Sequence, residues 1–314
     1  MRKAFVDTFM KLCLKDPSVF LLTADLGFMA FEPVRDAFPD NFLNVGVAEA
    51  NMVGVAAGLA KCGRKVFLYS MIPFATMRCL EQIRICLAMP KEHIIIVGIG
   101  GGYSYGSQGP SHHAIEDIGV MSALPNMRIL SPSDPWEAGH CFEQAFKEQG
   151  PTYVRLGKNG EPLLHKFDDH FRPDTWSVLR KGKDVAIIAT GSIANSSLEA
   201  AALLSKDGIS ARVISAHILK PLNPAMVRSV LKGCSYIFTV EQHSPWGGLG
   251  AIVSQIIIKA DIPYKKFHAF STFDGFHNIA GDQEYLERKD GLDAKTIARK
   301  ILLLHASKPG GKRC

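Results

Sequence analysis

The sequence lacks the features that mark a membrane, secreted or zinc-bound protein. No apolar run in the 314 residues reaches the roughly 18 residues that cross a bilayer, and the first residues follow an amphipathic helix pattern rather than that of a signal peptide. The seven cysteines are odd in number and include no Cys-x-x-Cys pair, which argues against zinc sites and disulfide frameworks. We therefore expect free thiols in a reducing cytoplasm.

A large excess of charge of one sign is also missing. The 36 Lys and Arg against 30 Asp and Glu leave a formal net charge of +6, and the sequence has no dense basic tract, so nucleic acid is not an expected partner. A hydrophobic content of 47% with 21% charged residues is typical of an ordinary globular protein. A chain of this length suits two domains, each able to bury its own core.

Short apolar runs alternate with amphipathic stretches, which predicts an α/β fold of two doubly wound domains with parallel sheets. The predicted strands are 19–24, a short one around 45, 65–69, 94–97, 126–131, 153–156, 185–189, 211–216, 236–240 and 265–270. The predicted helices are 1–16, about 50–60, 76–89, 113–121, 135–148, 196–207, 224–232, 247–259 and 293–305. The domains are expected at 1–160 and 183–306, with a linker at 161–182 and a disordered tail at 307–314.

The stretch 44–60 (NVGVAEANMVGVAAGLA) places one carboxylate, Glu49, among small and apolar residues. One interpretation is an ordinary helix-start glutamate beside the positive end of the helix dipole. The other follows from burial, which raises the pKa of a carboxyl group, so that Glu49 would hold a proton and donate a strong hydrogen bond. The residues alone leave both interpretations open.

The same stretch resembles the segment of transketolases and 1-deoxyxylulose-5-phosphate synthases that carries their essential glutamate. The resemblance implies that Glu49 hydrogen-bonds the aminopyrimidine ring of thiamine diphosphate and helps to activate the cofactor. Ala50 departs from the family, which often has glutamine or another larger residue there. The resemblance covers nearly the whole chain and makes the two domains a pyrimidine-binding, transketolase central-like domain and a smaller transketolase C-terminal-like domain.

The stretch 106–118 (GSQGPSHHAIEDI) is the second motif with residues suited to catalysis. Its histidines are expected to open a helix, where the dipole favours a neutral imidazole that can exchange protons, although a plain surface-loop histidine is the alternative. The string resembles the Gly-Pro-(Thr/Ser)-His loop of transketolases. That resemblance makes His112 the histidine beside the reactive carbon, where it orients substrate oxygens, and gives His113 a secondary place. Gln108 stands where the family commonly has an aspartate that contacts the substrate.

Phe74 lies in the stretch 70–84 (SMIPFATMRCLEQIR), where an aromatic residue before a helix is ordinarily part of the core. The string resembles split transketolases, in which this phenylalanine stacks on the aminopyrimidine. Such stacking is expected to contribute on the order of 1 kcal/mol beyond burial. Relatives have further aromatic residues nearby, whereas this sequence has Met71 and Met77.

Asp25 and Arg155 are weaker candidates for the same site. Asp25 follows the first strand, at the end of the sheet where open α/β folds bind ligands, although a loop-capping aspartate is the alternative. The resemblance favours a cofactor-binding role for Asp25. It also implies that Arg155 grips the terminal phosphate of the substrate, for which guanidinium geometry is suited, whereas a salt bridge is the alternative. Glu241 and His243, in the second domain, are expected to be structural.

The diphosphate-binding domain of the single-chain enzymes has no counterpart here, since no Gly-Asp-Gly motif is followed by an asparagine about thirty residues on. The resemblance therefore implies the C-terminal subunit of a split enzyme. An N-terminal partner subunit would hold the diphosphate and Mg²⁺, and the natural assembly would be an α2β2 heterotetramer.

The activity implied by the resemblance is transfer of a two-carbon ketol unit from a ketose to an aldehyde acceptor. Ile99-Gly-Gly-Gly-Tyr lacks the histidine or arginine that the family places there for the phosphate, so we expect a modified or larger sugar or sugar phosphate as substrate. One alternative is the beta subunit of a 2-oxoacid dehydrogenase E1 component. Another is a non-catalytic regulatory chain of the same fold, against which the intact Glu49 and His112 argue.

Overall fold

The computed structural model describes residues 1–158, 160–166 and 170–306, and it contains two sheets that are mainly parallel. Strands of five or more buried residues need apolar side chains on both faces, which the sequence supplies. The strands are β1 Val19–Thr23, β2 Phe42–Asn44, β3 Lys65–Met71, β4 Ile94–Ile99, β5 Arg128–Leu130, β6 Thr152–Leu156, β7 Ser177–Arg180, β8 Val185–Ala189, β9 Ala211–Ser215, β10 Ile218–Lys220, β11 Tyr236–Val240 and β12 Lys266–Phe270.

The helices connect these strands and pack on the sheet faces. Helix α1 shows the predicted pattern, because its buried side chains include Phe5, Phe9, Leu12 and Cys13. The helices are α1 Arg2–Lys15, α2 Glu32–Ala37, α3 Glu49–Lys61, α4 Ile72–Ala75, α5 Leu80–Gln82, α6 Asp117–Ser122, α7 Pro135–Lys147, α8 Ala194–Lys206, α9 Pro224–Leu231, α10 Leu249–Lys259, α11 Gln283–Lys289 and α12 Ala294–Ala306.

The first sheet has the strand order β10-β5-β6-β4-β3-β1-β2. Leu68 of β3 sits opposite Leu22 of β1 on one side and Ile96 of β4 on the other, so the central strands stack apolar rows in register. All its strand pairs are parallel except that of β10 with β5. The carboxyl ends of these parallel strands therefore face one edge, where ligands bind in such folds.

The second sheet has the order β12-β11-β8-β9-β7, with β7 antiparallel to β9. Strand β7 lies inside the segment predicted to be a linker, so that part of the prediction was wrong. Val178 pairs with Ile214, and this ladder fixes the chain before the second domain proper begins. Conversely, β10 follows β9 in sequence but joins the first sheet, where Ile218 pairs with Leu130. The second domain thus contributes an edge strand to the first sheet.

Two predicted helices differ in the structure: one is broken, and the other starts later than predicted. The helix predicted at 76–89 begins earlier, as α4 with Pro73 in its first turn, breaks at Thr76, and resumes as α5 and a π-helical stretch, Ile83–Ala88. Proline suits a first helical turn and sets this earlier start. The helix predicted at 113–121 begins only at Asp117, because Ala114 forms an antiparallel bridge with Gly102 and holds the chain extended.

Across the described residues, no helix combines the length and apolarity required to span a membrane. The predicted tail at 307–314 lies outside the described residues.

Candidate active site

Glu49 is the first residue of α3, and its side chain is only 2% exposed. Gly46 in the preceding loop has a φ of 76°, a left-handed conformation that favours glycine and turns the chain from β2 into the helix. Met52, Val53 and Ala56 then press the helix against the core. The small-residue pattern therefore buries this carboxylate at the carboxyl edge of the first sheet.

The buried carboxylate has two polar neighbours. Nη1 of Arg78 lies 2.7 Å from Oε2 of Glu49, and Oγ of Ser70, at the end of β3, lies 3.4 Å from Oε1. The arginine side chain is 45% exposed, so the pair joins a buried anion to a partly solvated cation. A guanidinium stabilises the ionised carboxylate. In this conformation Oε2 of Glu49 therefore accepts a charge-assisted hydrogen bond from Arg78.

Phe74 completes the cluster from α4. The guanidinium carbon of Arg78 lies 4.2 Å from the centre of its ring, a cation–π distance. The ring of His112 meets Phe74 edge-on, with 5.3 Å between ring centres. Glu49, Arg78, Phe74 and His112 thus form one contiguous group, which we call the acid–aromatic cluster.

The loop carrying His112 consists of two short 3₁₀ turns, Gly106–Gln108 and Pro110–His112. Gly109 between them has a φ of 80°, and Oγ of Ser111 lies 3.0 Å from Nδ1 of His112. Gln108, the last residue of the first turn, is exposed. Because α6 starts five residues after His112, the helix-dipole argument for a neutral imidazole does not apply to it.

His113 faces the interior, opposite to its neighbour. It is 2% exposed, its Nε2 lies 3.3 Å from the carbonyl oxygen of Gly106, and burial lowers the pKa of its imidazole. Its ring packs against Tyr103, whose hydroxyl donates to Asp290 of the second domain at 2.5 Å. The loop is therefore anchored from behind while His112 stays at the cluster.

Arg155 is placed differently from its prediction. Its side chain is 4% exposed, and its Nε donates to Asp117 at 2.8 Å. Its Nη2 donates to the carbonyl oxygens of Ala114 at 2.9 Å and Gln242 at 3.0 Å. These contacts tie β6 to α6 and to the second domain, which matches the salt-bridge alternative. This arrangement does not support the phosphate grip predicted for Arg155, since its Nε and Nη2 donors already have internal partners.

Asp25 lies in the exposed loop after β1, in a left-handed conformation with a φ of 53°. Its backbone N–H donates to the side chain of Asn44 at 2.9 Å, and its carboxylate accepts from the same side chain at 3.2 Å. It lines a cavity of about 250 Å³ that contains none of the acid–aromatic cluster. A cofactor-binding role for Asp25 stays a prediction.

Glu241 and His243 have the structural contacts that were expected. Glu241 accepts from the backbone N–H groups of Leu249 at 2.5 Å and Gly250 at 2.8 Å, at the start of α10. Burial raises the pKa of Glu241 to about 7, against the opposing effect of these two N–H groups. Nε2 of His243 accepts from the backbone N–H of Gly119 at 3.2 Å, which joins the two domains.

Arg78, Ser70 and Asp117 were not predicted as site or network residues from the sequence. Arg78 stands four residues after Phe74, a spacing that brings side chains together on helical backbone, and this was the available indication. Asp117 lies within the histidine motif, but its pairing with Arg155 depends on how β6 and α6 pack. The local sequence does not show that packing.

The acid–aromatic cluster fits the ring end of thiamine diphosphate. A flat heteroaromatic ring with nitrogen donors and acceptors needs a carboxylate at its edge and an apolar face to lie on. Glu49 supplies the first, and the planar guanidinium already resting on Phe74 shows that this face accepts a flat group. No cluster of three or more His, Cys, Asp or Glu side chains suited to a metal occurs among the residues that the structure describes.

Family models match both parts of the chain. Residues 1–161 match the transketolase pyrimidine-binding domain, and residues 174–297 match the transketolase C-terminal domain. Fold and site therefore define a subunit of the thiamine-diphosphate enzyme class. More specifically, the chain belongs to the transketolase family, which confirms the resemblance and the predicted fold class.

Individual relatives indicate which kinds of transketolase subunit the chain is similar to. The chain is 33% identical over 273 residues to one subunit of an apulose-4-phosphate transketolase from Actinobacillus succinogenes, covering 87% of this chain and 88% of that protein. It is 33% identical to a 6-deoxy-6-sulfo-D-fructose transketolase subunit of Clostridium sp. strain MSTE9, with coverages of 95% and 92%. A solved split-gene transketolase, described as an inactive β4 tetramer, superposes with a TM-score of 0.85 at 33% identity, covering 96% of both chains.

These relatives are subunits of split transketolases. The prediction of a transketolase-type transferase subunit is thereby confirmed. The relatives favour this function over the 2-oxoacid dehydrogenase alternative.

Proposed function

We propose that the chain binds the aminopyrimidine end of thiamine diphosphate in a split transketolase and acts on a modified sugar. The observation that carries the proposal is the buried carboxylate of Glu49, in one cluster with the ring of Phe74 and the imidazole of His112. When bound, thiamine diphosphate supplies the nucleophilic carbon for transfer of a two-carbon ketol unit from a ketose to an aldehyde.

Glu49, Phe74 and His112 each have a distinct task in this proposal. Glu49 hydrogen-bonds a ring nitrogen, and its burial makes that bond strong. Phe74 carries the ring on its face and fixes its plane. His112, partly exposed and hydrogen-bonded to Ser111, orients the oxygens of the sugar. The protein thus binds, orients and excludes water around the reacting atoms.

The partner subunit would hold the diphosphate and Mg²⁺ and cover the carboxyl edge of the first sheet. Large apolar side chains are exposed at that edge: Phe28 at 85%, Met29 at 83% and Val47 at 73%. Exposed apolar side chains in loops that follow the adjacent strands β1 and β2 suit burial in a subunit interface. With the ring end on one subunit and the diphosphate end on the other, an α2β2 heterotetramer with sites between subunits is the proposed assembly.

The proposed substrate is a modified sugar rather than an ordinary pentose phosphate. The glycine-rich turn after β4 contributes no cation, and the Nε and Nη2 donors of Arg155 are used inside the protein. Two of the relatives carry apulose 4-phosphate and 6-deoxy-6-sulfo-D-fructose in their names. Measured with the assembled enzyme, turnover of xylulose 5-phosphate with ribose 5-phosphate should be low, and ordinary transketolase rates would contradict the substrate proposal.

The central residue can be tested by substitution. In the assembled enzyme, Glu49→Gln keeps the shape of the side chain but removes its acid, so we expect kcat to fall by about a hundredfold. Glu81→Gln is the matched control, because Glu81 is an exposed glutamate on neighbouring α5. Unchanged activity of Glu49→Gln would revive the non-catalytic alternative.

A further inference from the structure

Arg78 makes the two contacts that the proposed function assigns to the cofactor ring. Its guanidinium lies on the face of Phe74 at 4.2 Å from the ring centre. The same group reaches the carboxylate of Glu49 at 2.7 Å. A guanidinium is planar, delocalised and rich in N–H donors, so it imitates an aminopyrimidine in both shape and hydrogen bonding.

The aminopyrimidine ring and the guanidinium of Arg78 cannot both occupy this position against Phe74 and Glu49. Phe74 offers its face beside Glu49, and the side of its ring toward His112 is met edge-on. Oε2 of Glu49 accepts from Arg78, while Oε1 faces Ser70 at 3.4 Å. A ring that stacks on the face of Phe74 occupied by Arg78 and bonds Oε2 of Glu49 must therefore displace the guanidinium.

We propose that Arg78 caps the ring site of the free chain and swings out when the aminopyrimidine enters. The inference rests on the proposed function, because it needs Glu49 and Phe74 to be the ring's partners. It adds a residue that competes with the cofactor and thereby regulates loading of the half-site.

The surroundings of Arg78 allow this movement. Its side chain is 45% exposed, so the guanidinium can turn into solvent without opening the core. The backbone beside it is fixed independently, since neighbouring Cys79 is fully buried and its Sγ donates to the carbonyl oxygen of Phe74 at 2.9 Å. The cap is therefore a mobile side chain on a fixed support.

The direction in which substitution of Arg78 changes the affinity for thiamine diphosphate distinguishes a cap from a residue that supports the site. If Arg78 is a cap, the site is open in only a fraction of free molecules, and removing the guanidinium raises the apparent affinity for the ring. For the complex of the chain with its partner subunit, titrated calorimetrically with thiamine diphosphate and Mg²⁺, Arg78→Ala should bind about tenfold more tightly than wild type. Equal or weaker binding by Arg78→Ala would overturn the proposal.

Three controls make the result specific. Arg84→Ala, an exposed arginine in the following π-helical stretch, should bind as wild type does. Inorganic pyrophosphate with Mg²⁺ lacks the ring, so its affinity should be the same for wild type and Arg78→Ala; a matching gain would overturn the proposal. Arg78→Lys keeps the charge without the planar group. We expect its affinity for thiamine diphosphate to lie between those of wild type and Arg78→Ala.

Failure of the proposed function would look different. Phe74→Ala and Glu49→Ala should both weaken binding of thiamine diphosphate if these residues hold the ring. Loss of affinity in those variants without a gain in Arg78→Ala leaves the proposed function standing and removes the cap. Unchanged affinity in all of them removes both.

Discussion

The buried carboxylates of Glu49, Asp117 and Glu241 differ in their partners. Glu49 and Asp117 each face a guanidinium, from Arg78 and Arg155 respectively. Glu241 is 1% exposed and is held by two backbone N–H groups. Burial outweighs these N–H groups and raises the pKa of Glu241 from 4.5 to about 7.

The raised pKa of Glu241 makes folding stability depend on pH. Between pH 4.5 and about 7 the folded state keeps a proton on Glu241 that the unfolded state has released, so stability falls as the pH rises. The contribution is fully present below pH 4.5 and is lost as the pH passes about 7. We expect the free energy of unfolding of wild type, minus that of Glu241→Gln, to fall by up to roughly 3 kcal/mol across this window.

Urea unfolding of the chain at closely spaced pH values measures this difference. Glu199→Gln, an exposed glutamate on α8, is the matched control and should leave the pH profile of wild type unchanged. A wild-type-minus-Glu241→Gln difference that is constant from pH 4.5 to 8, or one that rises with pH, contradicts the assigned protonation.

At the scale of elements, the pair formed by Arg155 and Asp117 connects strand β6 to helix α6 and reaches the backbone of the second domain through Gln242. Both side chains are almost completely buried, at 4% and 0% exposure. Tyr153 adds a hydrogen bond to Asp117 at 2.7 Å. This network fixes the segment that leads back to the His112 loop.

Breaking this pair should cost far more than breaking a surface pair. Arg155→Met and Asp117→Asn should each lower the free energy of unfolding by about 3 kcal/mol, because each strands a buried partner. The double variant should lose less than the sum, since neither charge is then left alone. Arg288→Met, which breaks an exposed ion pair within α11, should change stability little.

Denaturant unfolding gives these free energies directly. Additive losses in the double variant would show that the two side chains do not act as a pair. A variant Arg155→Met that kept full stability but raised KM for the sugar phosphate would instead restore the phosphate-binding role first predicted for Arg155.

The elements were predicted to different degrees, for identifiable reasons. The central parallel strands are buried on both faces, so an apolar run such as that of β4 is sufficient evidence. Strand β7 escaped prediction because its half-buried residues carry no such run, and it forms only by pairing with β9. The bridge of Ala114 with Gly102, which delays α6, depends on contacts distant from the local pattern.

The site was predictable where a motif is contiguous in sequence. Glu49, Phe74 and His112 were each found in a recognisable string, and the structure brings Phe74 into contact with His112. Arg78 was missed because an arginine on a predicted helix ordinarily faces solvent. Its contact with Glu49 depends on the packing of α3 beside α4, and this packing cannot be predicted from the local sequence.

At the scale of the whole molecule, the second domain supports the His112 loop from behind. Tyr103 donates to Asp290, and a Cβ on Gly102 would lie 2.0 Å from the side chain of Gln242, so the two domains meet closely here. The acid–aromatic cluster itself stays at the carboxyl edge of the first sheet, beside exposed Phe28 and Val47. The proposed half-site therefore lies on a fixed support.

The central claim, a half-site completed by a partner subunit, is tested most directly by calorimetric titration of thiamine diphosphate and Mg²⁺. The titration is made into the chain alone and then into the chain mixed with a candidate N-terminal subunit carrying the Gly-Asp-Gly motif. We expect binding in the mixture and none to either subunit alone. Tight binding to the chain alone would contradict the account, because the chain would then hold the diphosphate as well as the ring.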